Sequence, residues 1–155
     1  MLAADSQIIY QKKIKKTISN CYMNISFDEE EYPLQKETYK IIGVGMDVHR
    51  VLGKGFSEIV YKDALEYEFN KKGISFEREK EFLIRYKEKI LPHKFYANFV
   101  AQNEIILEVK CSSTIIEKHY AQVINYLTIS KLQVGLILNF SEKSLEYKRV
   151  ILKSY

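Results

Sequence analysis

The sequence predicts an α/β fold, a mixed sheet flanked by helices, from the order of its periodic segments. Two helical stretches come first, three strand-like stretches follow, and a helix then lies between two apolar strands. Parallel strands need a crossover connection of this kind, whereas strands joined by short turns pair antiparallel. At 155 residues with 46% hydrophobic content, the chain is long enough to bury a substantial core.

Composition and charge narrow the classes of function. The chain carries 24 Lys and Arg against 20 Asp and Glu, a net charge of +4, which permits nucleic-acid binding without demanding it. No run of eighteen apolar residues predicts a membrane span, and residues 1–5 show no secretory signal, so a cytoplasmic protein with no membrane partner is expected. Cys21 and Cys111 lack CxxC partners and the three histidines are scattered, which disfavours a zinc site.

Residues 1–33 form a predicted charged extension. A basic stretch over 12–16 is followed by the acidic run Asp28–Glu31. Opposite charge blocks of this kind are most often solvated, and the alternative is an arm that grips phosphates or folds onto a partner chain. Pro33 marks the predicted boundary with a domain over 34–155.

The predicted domain opens with a helical hairpin. Apolar residues recur at helical spacing from Leu34 until Gly53, where two nearby glycines break the pattern. The second helix opens at Ser57, a residue type that suits an N-cap, and ends at Gly73, which follows two lysines and suits a C-cap.

Three predicted strands cover residues 74–86, 93–101 and 104–110. In the second of them, Phe95, Ala97 and Phe99 share one predicted face. Gln102-Asn103 suits a tight turn, so the second and third strands should form an antiparallel hairpin that places Asn98 opposite Leu107 or Glu108. A helix over 117–130 and strands over 132–140 and 145–152 complete the predicted domain.

The third strand ends in a charged pair. Glu108 and Lys110 are two residues apart and therefore share a face. Burying these charges is costly unless they are compensated by a metal ion, by a phosphate or by each other. One interpretation is a structural charge pair on an edge strand; the other is a functional site.

A site becomes the better interpretation if the hairpin and the two flanking helices meet at one end of the sheet. Glu58, Asn98 and Gln122 would then converge on the Glu108–Lys110 pair, with Tyr126 beside Gln122 on the same helical face. Carboxylates such as Glu58 and Glu108 are ligands that magnesium accepts, and a lysine can orient water or steady a developing anion. Glu58 could instead complement a helix dipole, and Gln122 could simply be solvated.

The motifs around these residues resemble a known family. Residues 55–61, Gly-Phe-Ser-Glu-Ile-Val-Tyr, fit the GxxExxY pattern, and Glu108-Val109-Lys110 fits an ExK element. Matching segments also occur, in order, at 48–55, 121–127 and 135–140. Over about residues 38–152 the chain therefore resembles the GxxExxY proteins, which are classed in the PD-(D/E)xK nuclease superfamily.

The resemblance implies a restriction-endonuclease-like fold and hydrolysis of nucleic-acid phosphodiester bonds that depends on Mg²⁺ or Mn²⁺. It implies catalytic roles for Glu58, Glu108, Lys110 and Gln122, and a metal site formed by Glu58, Asn98 and Glu108. Tyr61 and Tyr126 would pack or orient. Nucleic acid is the expected partner, and a monomer and a homodimer are both left open.

One departure from the family pattern bears on activity. The family has an aspartate on the strand before ExK, where this chain has Asn98, and an acidic residue where it has Tyr120. Asparagine offers a metal one carbonyl oxygen but no negative charge, so metal binding should weaken. Two functions follow: a nuclease impaired at Asn98, or a catalytically inactive nuclease-fold module that binds nucleic acid or a protein partner.

Overall fold

The computed structural model describes residues 25–26 and 32–153, which form a six-stranded mixed sheet with three helices. The helices are α1 (Gln35–Leu52), α2 (Glu58–Lys72) and α3 (Glu117–Ser130). The strands are β1 (Ile25–Ser26), β2 (Phe76–Tyr86), β3 (Lys89–Ala101), β4 (Ile105–Lys110), β5 (Val134–Asn139) and β6 (Glu146–Leu152). The predicted α/β class and the order of the predicted elements are confirmed.

Most of the predicted charged extension, including its basic stretch and its acidic run, lies outside the described residues. Within it, Ile25–Ser26 pair antiparallel with Ile151 and Leu152 of β6, and Tyr32 packs into the core. The division into an extension and a domain stays a prediction.

The sheet has the order β1-β6-β5-β4-β3-β2. β4 and β5 are parallel with α3 as the crossover, and every other neighbouring pair is antiparallel. Gln102 and Asn103 have positive φ values of 54° and 60°, as in a type I′ turn. The ladder pairs Phe99 with Leu107, which brings Asn98 to Glu108 as predicted.

Ends of two elements differ in detail from the prediction. Ser57 occupies the N-cap position of α2, but its side chain forms no capping hydrogen bond. β3 begins at Lys89, four residues before the predicted start, because β2 and β3 continue their pairing to Tyr86↔Lys89 as one long hairpin. Local alternation could not reveal this extension, since the bulge opposite Ile84 interrupts it.

The core has two layers, one on each face of the sheet. α1 and α2 cover one face with residues such as Ile41 and Leu65, and α3 covers the other with Val123 and Leu127. The predicted common face of Phe95, Ala97 and Phe99 is wrong: Phe99 packs in the first layer, whereas Ala97 and Phe95 pack in the second. The β3–β4 ladder stops at Phe99, and beyond it the hairpin packs against α3.

Candidate functional site

The charged pair lies at the end of a central strand. β4 stands between β5 and β3, so the interpretation as an edge-strand charge pair is wrong. Glu108 is 1% exposed, and Lys110 Nζ donates to its Oε1 at 2.9 Å. The pair is therefore held in the interior, with the lysine alone reaching the surface of a cleft.

Burial raises the pKa of Glu108 above its ordinary value. The Lys110 ammonium and the backbone amide of Asn98, whose N lies 3.5 Å from Glu108 Oε2, act in the opposite direction. The negative charge of Glu58 acts in the same direction as burial and raises this pKa further. A bound cation would offset the cost of burying the negative charge of Glu108.

Asn98 uses its side-chain oxygen inside the sheet. The Val109 amide donates to Asn98 Oδ1 at 2.8 Å, and Asn98 is 9% exposed. The ladder between β3 and β4 ends one residue away, so this contact extends the strand pairing through a side chain. The oxygen expected to face a metal is engaged with the backbone of β4.

Glu58 is the first residue of α2, and the tyrosine of its motif fixes the loop before it. Tyr61 lies one turn later and is fully buried, stacked on Phe140 with ring centroids 4.3 Å apart. Its hydroxyl donates to Gly53 O at 2.8 Å and accepts from Phe56 N at 3.3 Å. The spacing in GxxExxY thus has a physical reason, since the tyrosine anchors the turn that places Glu58 at the cleft.

Gln122 and Tyr126 occupy successive turns of α3. Gln122 Nε2 donates to the Tyr126 hydroxyl at 2.9 Å, and this hydroxyl donates to Tyr96 O at 2.8 Å. Tyr126 thereby orients the Gln122 carboxamide and joins α3 to β3. The expected orienting role of Tyr126 agrees with these contacts.

An open cleft of about 650 Å³ brings the predicted residues together. Glu58, Lys110 and Gln122 line it, and Glu108 and Asn98 are buried behind Lys110. The other lining residues are Phe95, Ser112, Ile116, Lys118, His119, Ala121, Asn125 and Tyr126. α2, α3, β3 and the end of β4 all contribute.

Sequence reasoning missed several of these lining residues. His119, one of the three scattered histidines, lies in the cleft wall; its Nδ1 accepts from Ile116 N at 3.3 Å. Burial lowers the pKa of His119, and the charge of Lys110 lowers it further. Phe95 carries no sequence signal for a cleft position. His49 is structural, since its Nε2 lies 2.9 Å from Glu142 O.

The oxygen ligands at the cleft suit a hard divalent ion whose remaining coordination positions are filled by water and substrate. Across residues 32–153, no group of three or more His, Cys, Asp or Glu side chains could hold a metal. Glu58 and Glu108 nevertheless supply two carboxylates, and magnesium is commonly bound by one or two carboxylates with water and phosphate oxygens. A cation would offset the cost of burying the charge of Glu108, whereas the Asn98 oxygen already accepts one hydrogen bond, from the Val109 amide.

Comparisons with known proteins identify the fold. A family model described as the PD-(D/E)XK nuclease superfamily matches residues 35–150. The crystal structure of SSO0001 is similar with a TM-score of 0.50 and 16% sequence identity, covering 98% of this chain and 80% of that chain, a likeness of fold alone. A comparison with curated proteins gave no match.

Proposed function

The chain belongs to the PD-(D/E)XK nuclease superfamily, with a restriction-endonuclease-like α/β fold, and we propose that it hydrolyses nucleic-acid phosphodiester bonds at the cleft using Mg²⁺ or Mn²⁺. One observation carries the proposal: the Glu108–Lys110 pair ends a central strand beside Glu58 and Gln122. Proteins of this superfamily generally use divalent metals. Within it, the ordered motifs from residue 48 to residue 140 favour the GxxExxY proteins.

Each residue of the site has a role that follows from its position. Glu58 and Glu108 would hold the ion, which when bound acidifies a water and offsets charge on the phosphate. Lys110 is fixed by its ion pair, so its ammonium can orient the attacking water or steady the anion that develops. Gln122, oriented by Tyr126, offers its carboxamide oxygen to the same water.

Asn98 lowers the expected metal affinity. It replaces a carboxylate by a neutral amide, and its oxygen already accepts the Val109 amide. Because magnesium sheds water reluctantly, the loss of one anionic ligand weakens binding. The proposed enzyme therefore works with two carboxylates.

The engagement of Asn98 favours a second candidate function. A side chain that completes the β3–β4 pairing stabilises the sheet and leaves the metal site short of a ligand. The same fold would then act as a catalytically inactive module that binds nucleic acid or a protein partner.

Cleavage assays on labelled DNA and RNA with Mg²⁺ or Mn²⁺ separate the two candidates. If the protein is an enzyme, these assays should show cleavage that Lys110→Ala reduces by about 100-fold or more, since the substitution removes the ammonium that stabilises the developing anion. Lys36→Ala, which removes an exposed charge on α1, is the matched control and should cleave normally. Calorimetric titration should show tighter magnesium binding to Asn98→Asp than to wild type.

The remaining outcomes decide the alternatives. An inactive wild type that gains cleavage through Asn98→Asp identifies a degenerate site and supports the binding module. Neither metal affinity nor nucleic-acid binding in either protein would reject both candidates.

A further inference from the structure

We propose that the β2–β3 hairpin is a binding surface for single-stranded nucleic acid. It would contact the part of the nucleic acid that extends out of the cleft. The inference rests on the proposed function for the identity of the polymer. It adds a surface outside the Glu58–Lys110 site and a preference for unpaired bases.

The hairpin extends well past the central sheet. β2 and β3 pair from Phe76↔Ala101 to Tyr86↔Lys89, whereas β3 pairs with β4 only over Phe99–Ala101. The outer part of the hairpin is therefore a two-stranded projection. Its inner end meets α3 through the rings of Phe82 and Phe95, each with its centroid 6.1 Å from that of Tyr126.

One face of this projection continues the wall of the cleft. Phe82 is paired with Phe95, a cleft residue, and Tyr86 is paired with Lys89. Directly opposite residues share a face, and so do residues two or four apart along β2. The bulge places three residues of β3 against one of β2, which preserves this alternation. His93 continues the same face, with its ring centroid 5.0 Å from that of Phe95.

The chemistry of this face matches a flexible nucleic-acid strand. Tyr86 is 61% exposed and Lys87 Nζ lies 5.5 Å from the centre of its ring. Stacking on aromatic rings and cations along the backbone are the two contacts by which proteins bind single strands. An exposed ring offers a stacking partner to an unpaired base, whereas bases inside a duplex are already stacked.

The distribution of ion pairs strengthens the assignment. Lys80 pairs with Glu77, and Lys94 pairs with Glu81, nearer the base of the hairpin. Within the described part of the chain, neither Lys87 nor Lys89 at the tip forms a salt bridge. The positive charges at the tip are therefore not neutralised by a carboxylate and can attract phosphates.

Fluorescence anisotropy with a labelled oligonucleotide, in buffer with chelator and no divalent ion, tests binding separately from cleavage. Tyr86→Ala should weaken binding of a single strand by about 5- to 150-fold, the range for loss of one stacked base. Tyr86→Phe keeps the ring and should restore binding. Lys89→Gln should weaken binding, whereas Arg85→Gln, which removes one charge from the opposite face, should not.

Circular dichroism melting should show all four variants folded as wild type, because the substituted side chains are exposed. The proposal is overturned if Tyr86→Ala and Lys89→Gln bind as wild type does, if a duplex of equal length binds as tightly as the single strand, or if no nucleic acid binds. Binding that depends on Tyr86 without any cleavage when metal is added upholds the hairpin and rejects hydrolysis. Cleavage with no effect of these substitutions upholds hydrolysis and rejects the hairpin.

Discussion

Glu108 is a carboxylate in the interior with one ammonium partner. Burial disfavours the charged form of this carboxylate, and the positive charge of Lys110 compensates for only part of that effect. The pKa of Glu108 is therefore raised from its ordinary value of 4.5. A folded state with a raised carboxyl pKa binds more protons than the unfolded state, and stability then falls as the pH rises. The arrangement is costly for an empty protein and suits one that binds a cation.

This linkage predicts a pH-dependent difference between wild type and Glu108→Gln. Glutamine stays neutral at every pH, whereas Glu108 must ionise in a buried position. In metal-free buffer, the difference in free energy of unfolding, variant minus wild type, should therefore increase as the pH rises above 4.5. Denaturant melts at a series of pH values measure it. Glu104→Gln, an exposed position just before the same strand, is the control. A difference that does not vary with pH for Glu108→Gln would contradict the raised pKa.

Cys111 follows the site but takes no part in it. Its side chain packs against the first core layer, and burial raises the pKa of this thiol to about 11. A thiol pKa shifted from 9.0 to about 11 lowers the thiolate fraction at pH 8 roughly 100-fold.

Alkylation by iodoacetamide at pH 8, followed by peptide mass spectrometry, should show slow labelling of Cys111 in the folded protein and rapid labelling in denaturant. Substitution by serine should leave any cleavage activity within about two-fold of wild type, because the thiol is not a nucleophile of the site. Equal labelling rates in the folded and unfolded states would overturn this view.

At the scale of elements, the contact between β5 and α3 depends on Gly135, which has no side chain. A Cβ added at Gly135 would lie 2.3 Å from Val123 Cγ1. The crossover helix therefore packs directly on the strand at this glycine. Gly43 on α1 differs, since no described atom lies within 4 Å of its added Cβ.

The two glycines predict opposite effects of the same substitution. Gly135→Ala should lower the free energy of unfolding by about 1–3 kcal/mol, because Val123 must move in a packed core. Gly43→Ala should raise it by about 0.5–1 kcal/mol, because alanine loses less backbone entropy in a helix. Thermal or chemical denaturation measures both. A neutral Gly135→Ala would show that α3 can shift away from β5.

At the scale of the whole molecule, two helical layers enclose a central sheet, and the cleft opens where α2 and α3 meet the end of β4. None of the helices described over residues 32–153 has the length and apolarity of a membrane span. The charged pair at this junction lies in the interior because β4 has a neighbour on each side. Position in the sheet, more than residue type, converts the pair into a candidate site.

The sequence by itself determined the elements and part of the candidate site, because these depend on short-range periodicity. Helical spacing and punctuating glycines located α1 and α2, and the two-residue period of a strand placed Glu108 and Lys110 on one face. The motif around Glu58 could be matched because its spacing is also local. The apolar strands on either side of α3 were sufficient to predict the parallel crossover.

Only the tertiary structure decided the setting of that pair. Which strand is central, where the β3–β4 ladder stops and how the hairpin reaches α3 depend on contacts between distant segments, which no local pattern encodes. These contacts direct the Asn98 carbonyl to the Val109 amide and bring Phe95 and His119 into the cleft. The sequence identified residues of the candidate site, and the packing of the sheet decided which of their polar atoms reach the cleft.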